Sequence, residues 1–117
     1  MKAIRVAAFG AAEVLQLQTV ADPAPASGQV LVRMRAAGVN PFETNVRSGN
    51  YASLPELPYT PGHDGAGVIE AVGAGVEKFA PGDRVYVTGS ITGTYAELAV
   101  ADAARVHALP DNASFAQ

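Results

Sequence analysis

Pro58-Tyr-Thr-Pro-Gly-His-Asp-Gly-Ala-Gly-Val-Ile-Glu-Ala-Val-Gly73 is the stretch on which the fold turns. Its second half, Gly65 to Val72, is apolar, partly β-branched and bounded by glycines, as a strand should be. Gly62, Gly65 and Gly67 crowd the start of that strand. Such crowding implies bulged or left-handed backbone, or a segment or ligand so close that a Cβ would clash. Pro81-Gly82-Asp83 then gives a turn signal ahead of a further strand.

Outward from this stretch the punctuation continues. Gly occupies 12 positions and Pro 8, too often for long helices, and the segments between them predict strands at Lys2 to Phe9, Leu15 to Val20, Gln29 to Val39, Arg84 to Val87, Thr94 to Val100 and Arg105 to Ala108. Val30, Val32, Met34 and Ala36 alternate with Leu31, Arg33, Arg35 and Ala37, the pattern of a strand with one wet face. Asp22 to Ser27-Gly28 reads as a turn-rich connection, and Tyr51 to Pro61 as a loop carrying prolines 55, 58 and 61. One helix start stands out. Asn40 can cap, Pro41 takes the first helical position and Glu43 the third, in the manner of a capping box; one or two turns follow and end by Ser48-Gly49. The sum is a mostly β fold, a partly open barrel with one or two short helices.

Composition narrows the chemistry. The 117 residues are 49% hydrophobic and 16% charged with a net charge of −3, which describes one soluble globular domain able to bury roughly two-thirds of its unfolded surface. With no cysteine, thiolate catalysis, disulfides and Cys-ligated zinc or iron–sulfur sites are excluded, leaving His, Asp and Glu as metal donors. Eight scattered basic residues make no patch for phosphate backbones, so no nucleic-acid partner is expected. No membrane-spanning or signal segment is evident, and a cytoplasmic location follows as the expectation.

Gly65-Ala-Gly67 and Gly73-Ala-Gly75 imitate the start of a dinucleotide fingerprint. Neither reaches a third glycine at the right offset nor opens a helix toward a pyrophosphate. Ser48 and Ser53 lack a nucleophile-elbow context. Asp64 and Glu70 lie at an even offset on one predicted strand, which a solvated strand face explains as well as paired-carboxylate chemistry.

Ala37-Gly-Val-Asn-Pro41, Pro58 to Gly73 and Phe79-Ala-Pro-Gly-Asp-Arg-Val85, together with Met1 to Arg5, Arg47 to Tyr51 and Gly93 to Glu97, resemble the amino-terminal, GroES-like half of the medium-chain dehydrogenase/reductase superfamily. The likeness is closest to its quinone oxidoreductase, zeta-crystallin-like branch and spans essentially the whole chain. It implies that residues 1–117 form the substrate-side GroES-like domain. A separate Rossmann domain, beginning shortly after Gln117, would bind the phosphates of NADP(H). It also implies hydride transfer to a quinone or activated alkene.

In zinc-dependent relatives a Cys, a His and a later Cys surround the ion. The His position matches His63, but Asn40 stands at the first Cys position, and an amide oxygen is a poor zinc ligand. No metal is therefore expected. A conjugated acceptor needs none, because hydride addition spreads charge onto a distal oxygen that one or two hydrogen-bond donors can hold. By resemblance, Asn40 and Tyr51 line the cleft at the nicotinamide end as catalytic and cofactor-contacting residues, with Tyr59, His63 and Asp64 beside them. Plain alternatives stay open: Asn40 as a helix cap alone, Tyr51 and Tyr59 as packing aromatics, and His63 and His107 as ordinary structural or surface histidines. Two other functions also stand: a non-catalytic binding or assembly module, self-associating through a surface the second domain would cover, and a zinc-type alcohol dehydrogenase domain.

Overall fold

The computed structural model describes residues 1–116; the far bound of the expected domain, Gln117, lies outside them. Among the described residues seven strands form: β1 (Lys2–Arg5), β2 (Gln16–Thr19), β3 (Gln29–Ala37), β4 (Gly65–Val72), β5 (Arg84–Val87), β6 (Leu98–Asp102) and β7 (Val106–Ala108), with one α-helix, α1 (Pro41–Ser48), and 3-10 turns at Ala12–Val14 and Ala103–Arg105. Five strands make an antiparallel sheet in the order β6-β3-β4-β5-β7, and β1 pairs with β2 separately. The two ladders are joined without closing. Ile4 donates to the Tyr95 carbonyl at 2.8 Å, Glu97 to the Lys2 carbonyl at 3.1 Å, and Val6 and Tyr59 form an isolated bridge. The result is the partly open, mostly β barrel that the sequence predicts.

The β-branched residues of the strands supply the core. Val30, Val32, Ile69, Val85, Val87 and Val106 are almost wholly buried against Phe79 and Ala101, each valine contributing about 1.5–3 kcal/mol relative to exposure. A second cluster of Leu31, Leu98 and Val100 packs with Met1 and Ala71. Leu31 therefore departs from the predicted wet face of β3. A register shift separates Leu31 from Val32, and Met1, just ahead of β1, together with Leu98 and Val100 of β6, brings apolar cover to that side, while Arg33 and Arg35 farther along stay half-buried or exposed.

The glycine crowding has a clear cause. A Cβ at Gly67 would run into the Arg33 carbonyl and one at Gly65 into the Ala36 carbonyl, so both serve the close approach of β4 to β3. Gly62 has a φ of 110°, and a Cβ there would collide with Thr94. Two predicted strands need correction. The first ends at Arg5 rather than Phe9, because from Val6 onward the chain pairs only at one bridge, to Tyr59. The sixth begins at Leu98 rather than Thr94 and runs to Asp102, because Thr94 and Tyr95 donate instead to the carbonyls of Gly62 and Pro61, at 3.2 and 3.0 Å. That diversion ties the loop at 90–95 under the 61–64 segment.

Candidate functional site

The site forms where β3 ends, α1 begins and β4 starts. Asn40 caps α1 in extended conformation and shares a capping box with Glu43; at the other end Gly49, φ 86°, closes the helix with its N–H on the Val46 carbonyl at 3.0 Å. The helix start thus places a carboxylate directly under the cap. Glu43 is only 7% exposed, and a carboxylate so buried must be surrounded by donors. Four reach it: Asn40 N–H at 3.0 Å, Asn40 Nδ2 at 3.2 Å, His63 N–H at 3.0 Å and the Tyr95 hydroxyl at 2.7 Å. Burial, and then the bond to Glu43, drive the Tyr95 phenol far above its ordinary pKa.

Asn40 Nδ2 also donates to Asp64 Oδ1 at 2.8 Å. Both amide hydrogens are therefore committed to carboxylates, and this fixes which end of the amide is which, since an oxygen in that place would face two anionic acceptors. Asp64 is held in turn. Its carbonyl accepts from the Thr94 hydroxyl at 3.1 Å and from the Gly38 N–H at 2.9 Å, and a Cβ at Gly38 would come to 2.5 Å of Oδ1.

Two cavities open beside this network. The larger, about 660 Å³, is bordered by Asn40, His63 and Asp64, floored by the small residues Ala36 to Gly38, Gly65 and Ala66, and walled by Tyr86 and Phe115. The smaller, about 410 Å³, lies between α1 and the proline loop, with Tyr51, Leu54, Pro55 and Tyr59 around it. Phe42 and His63 border both; their rings meet edge to face at 5.6 Å and form a partition. The five residues singled out from sequence are thus neighbours but divided. Asn40 and Asp64 face the first cavity, Tyr51 and Tyr59 the second, and His63 belongs to both.

Tyr51 is 45% exposed, its ring 6.1 Å from that of Phe42. Tyr59 is half-buried, and its hydroxyl has no hydrogen-bond partner among the described residues; burial pushes that phenol's pKa up. His107, on β7, borders neither cavity, and its ring lies 5.0 Å from that of Tyr86. The sequence reading passed over Glu43 as more than a cap, and over Phe42, Tyr95 and Tyr86. Only the Asn40–Glu43 spacing carried any signal of that hub.

Zinc does not suit this donor set. The Asn40 amide is turned by its nitrogen onto Glu43 and Asp64, and among the described residues no group of three or more His, Asp or Glu side chains could hold a metal ion. Nor is any helix among them long and apolar enough to cross a membrane.

A small β-barrel with a capped helix beside a shallow cleft defines a GroES-like domain. The chain belongs to the alcohol dehydrogenase GroES-like domain family, which residues 26–111 match. It is 52% identical to the quinone oxidoreductase of Rattus norvegicus over 118 aligned residues, and 44% identical to that of Pseudomonas aeruginosa over 117. Those alignments take in 100% and 99% of this chain but 36% and 35% of the relatives. The crystal structure of Escherichia coli quinone oxidoreductase complexed with NADPH superposes with a TM-score of 0.92 at 34% identity, covering 98% of this chain and 35% of that one. The chain spans about a third of the length of the proteins it resembles.

Proposed function

We propose that this chain is the substrate-side domain of an NADPH-dependent quinone oxidoreductase, residues 1–117 supplying the acceptor pocket and a separate Rossmann domain supplying the grip on the cofactor's phosphates. The observation that carries this reading is the 52% identity, along the entire chain, to a protein named quinone oxidoreductase. The structure of the Escherichia coli relative with NADPH supports the cofactor. Here the small-residue floor of the larger cavity suits a flat ring, and Asn40 and Asp64 at its edge suit a carboxamide. When bound, NADPH supplies the hydride.

The chain's own contribution is orientation. Hydride transfer requires donor and acceptor at near-contact distance and in one alignment, and the Glu43 hub holds Asn40, Asp64 and the His63 backbone rigid around the cavity. Tyr51, on the partition's other side, offers a hydroxyl to an acceptor entering from the smaller cavity, and Tyr59 lines its wall. A quinone or conjugated enone suits such a site because its developing charge is delocalised. The reading includes a cytoplasmic location and a small-molecule partner, with neither nucleic acid nor membrane as a target.

The test is a chimera in which this chain replaces the matching third of the Pseudomonas aeruginosa relative. It is expected to oxidise NADPH when a benzoquinone is added, and the isolated chain is expected to do so at a negligible rate. A folded chimera that binds NADPH yet reduces no quinone would refute the reading.

A further inference from the structure

His63 has a fixed backbone and a free ring. Its N–H donates to Glu43 at 3.0 Å and its carbonyl accepts from Ser90 N–H at 2.8 Å, so the main chain is clamped from both sides. The imidazole is exposed, rests edge to face on Phe42, and among the described residues its ring nitrogens make no hydrogen bond. A methyl group at Gly89 would come to 3.4 Å of its Cε1, so the ring is backed on that edge as well. It stands on the rim shared by both cavities. A titratable group that reaches a cleft on one side and water on the other can pass a proton between them.

We propose that His63 is the proton donor that completes reduction of the acceptor. The inference rests on the quinone-oxidoreductase reading and deepens it. When the bound cofactor supplies its hydride, the donor C–H bond would break and the hydrogen, carrying its electron pair, would form a new bond to the acceptor. The conjugated system carries the displaced pair to the distal oxygen. The imidazolium N–H breaks as that oxygen gains its O–H. The acceptor is reduced by two electrons at the expense of the dihydronicotinamide, and the neutral imidazole regains its proton from water. Asn40 cannot serve in this role, since both its amide hydrogens are held by carboxylates. The titratable and charged groups around the ring are Glu43 on α1, Asp64 next in the chain, Arg105 behind Gly89, Tyr86 across the larger cavity, and Tyr51 and Tyr59 across the smaller.

Two measurements test the assignment. In the 117-residue chain, NMR follows the His63 Cε1 proton against pH with and without 2,4-dinitrophenolate, a flat ring carrying the kind of oxyanion that a reduced acceptor bears. The phenolate is expected to raise the His63 titration midpoint and leave that of His107 in place; an unmoved His63 midpoint, whether or not the probe binds elsewhere, overturns the proposal. In the chimera, His63→Gln is expected to lower kcat by about 100-fold, to abolish the fall of kcat with rising pH, and to leave the KM for NADPH unchanged. A His63→Gln chimera with the parent kcat and pH profile overturns the proton-donor role while the functional reading stands. A parent chimera that reduces no quinone overturns both.

Discussion

Glu43 is the residue on which the site's geometry converges. Removing a buried carboxylate strands its partners, and stranded buried donors cost more than the bonds were worth. Glu43→Ala is therefore expected to lower stability by about 3–5 kcal/mol, read as a fall in the urea midpoint by circular dichroism, with Tyr95→Phe costing far less because it removes only one donor. A Glu43→Ala loss no larger than that of Tyr95→Phe would show that the hub holds nothing. Half of this arrangement could be read from sequence. Asn40, Pro41 and Glu43 announce a capped helix, and the capping box forms. The other half could not, since Tyr95 lies 52 positions from Glu43 and nothing in either residue's neighbourhood points to the other. The grouping of Asn40 with His63 and Asp64 could be anticipated from sequence, whereas the commitment of the amide to two carboxylates could not.

At the scale of elements, glycine spacing sets how closely strands lie. β4 approaches β3 at Gly67, where an added methyl meets the Arg33 carbonyl, whereas Gly82, φ 96°, looks into open space. Gly67→Ala is expected to destabilise by about 3 kcal/mol through overpacking, and Gly82→Ala by about 1 kcal/mol for its left-handed backbone alone. Equal losses in urea unfolding would remove close approach as the reason for the glycine cluster. Strand composition and glycine boundaries located β3, β4, β5 and β7 to within a few residues. They failed where a segment's hydrogen bonds go to a loop rather than a strand, as at Thr94 and Tyr95, and where side chains from elsewhere cover a face that alternation marks as wet, as at Leu31. Neither the register shift nor that cover is written in local periodicity. The short 3-10 turns, with no buried residue, left no pattern to read.

Across the whole molecule, apolar side chains lie open near the cavities. Val39, between Gly38 and Asn40, is 75% exposed, and Tyr51, Leu54 and Tyr86 remain exposed as well. Exposed apolar surface favours association, so sedimentation velocity of the isolated chain is expected to show a dimer that grows with concentration and that Val39→Asp weakens. A strictly monomeric chain at high concentration would argue that these residues are too scattered to act as one surface. The family and the barrel were visible in the spacing of the glycine and proline motifs; the division of the cleft into two compartments was not, because it depends on Phe42 and His63 meeting across α1 and the β4 approach.

The bonds that steady Asn40 come from Glu43 in its own helix and from Asp64 at the neighbouring strand's approach, and Glu43 is held in turn by Tyr95 from the far loop. Preorganisation of this kind lowers the entropy lost when a second body docks. A corner built this way meets whatever docks against it with its shape already set.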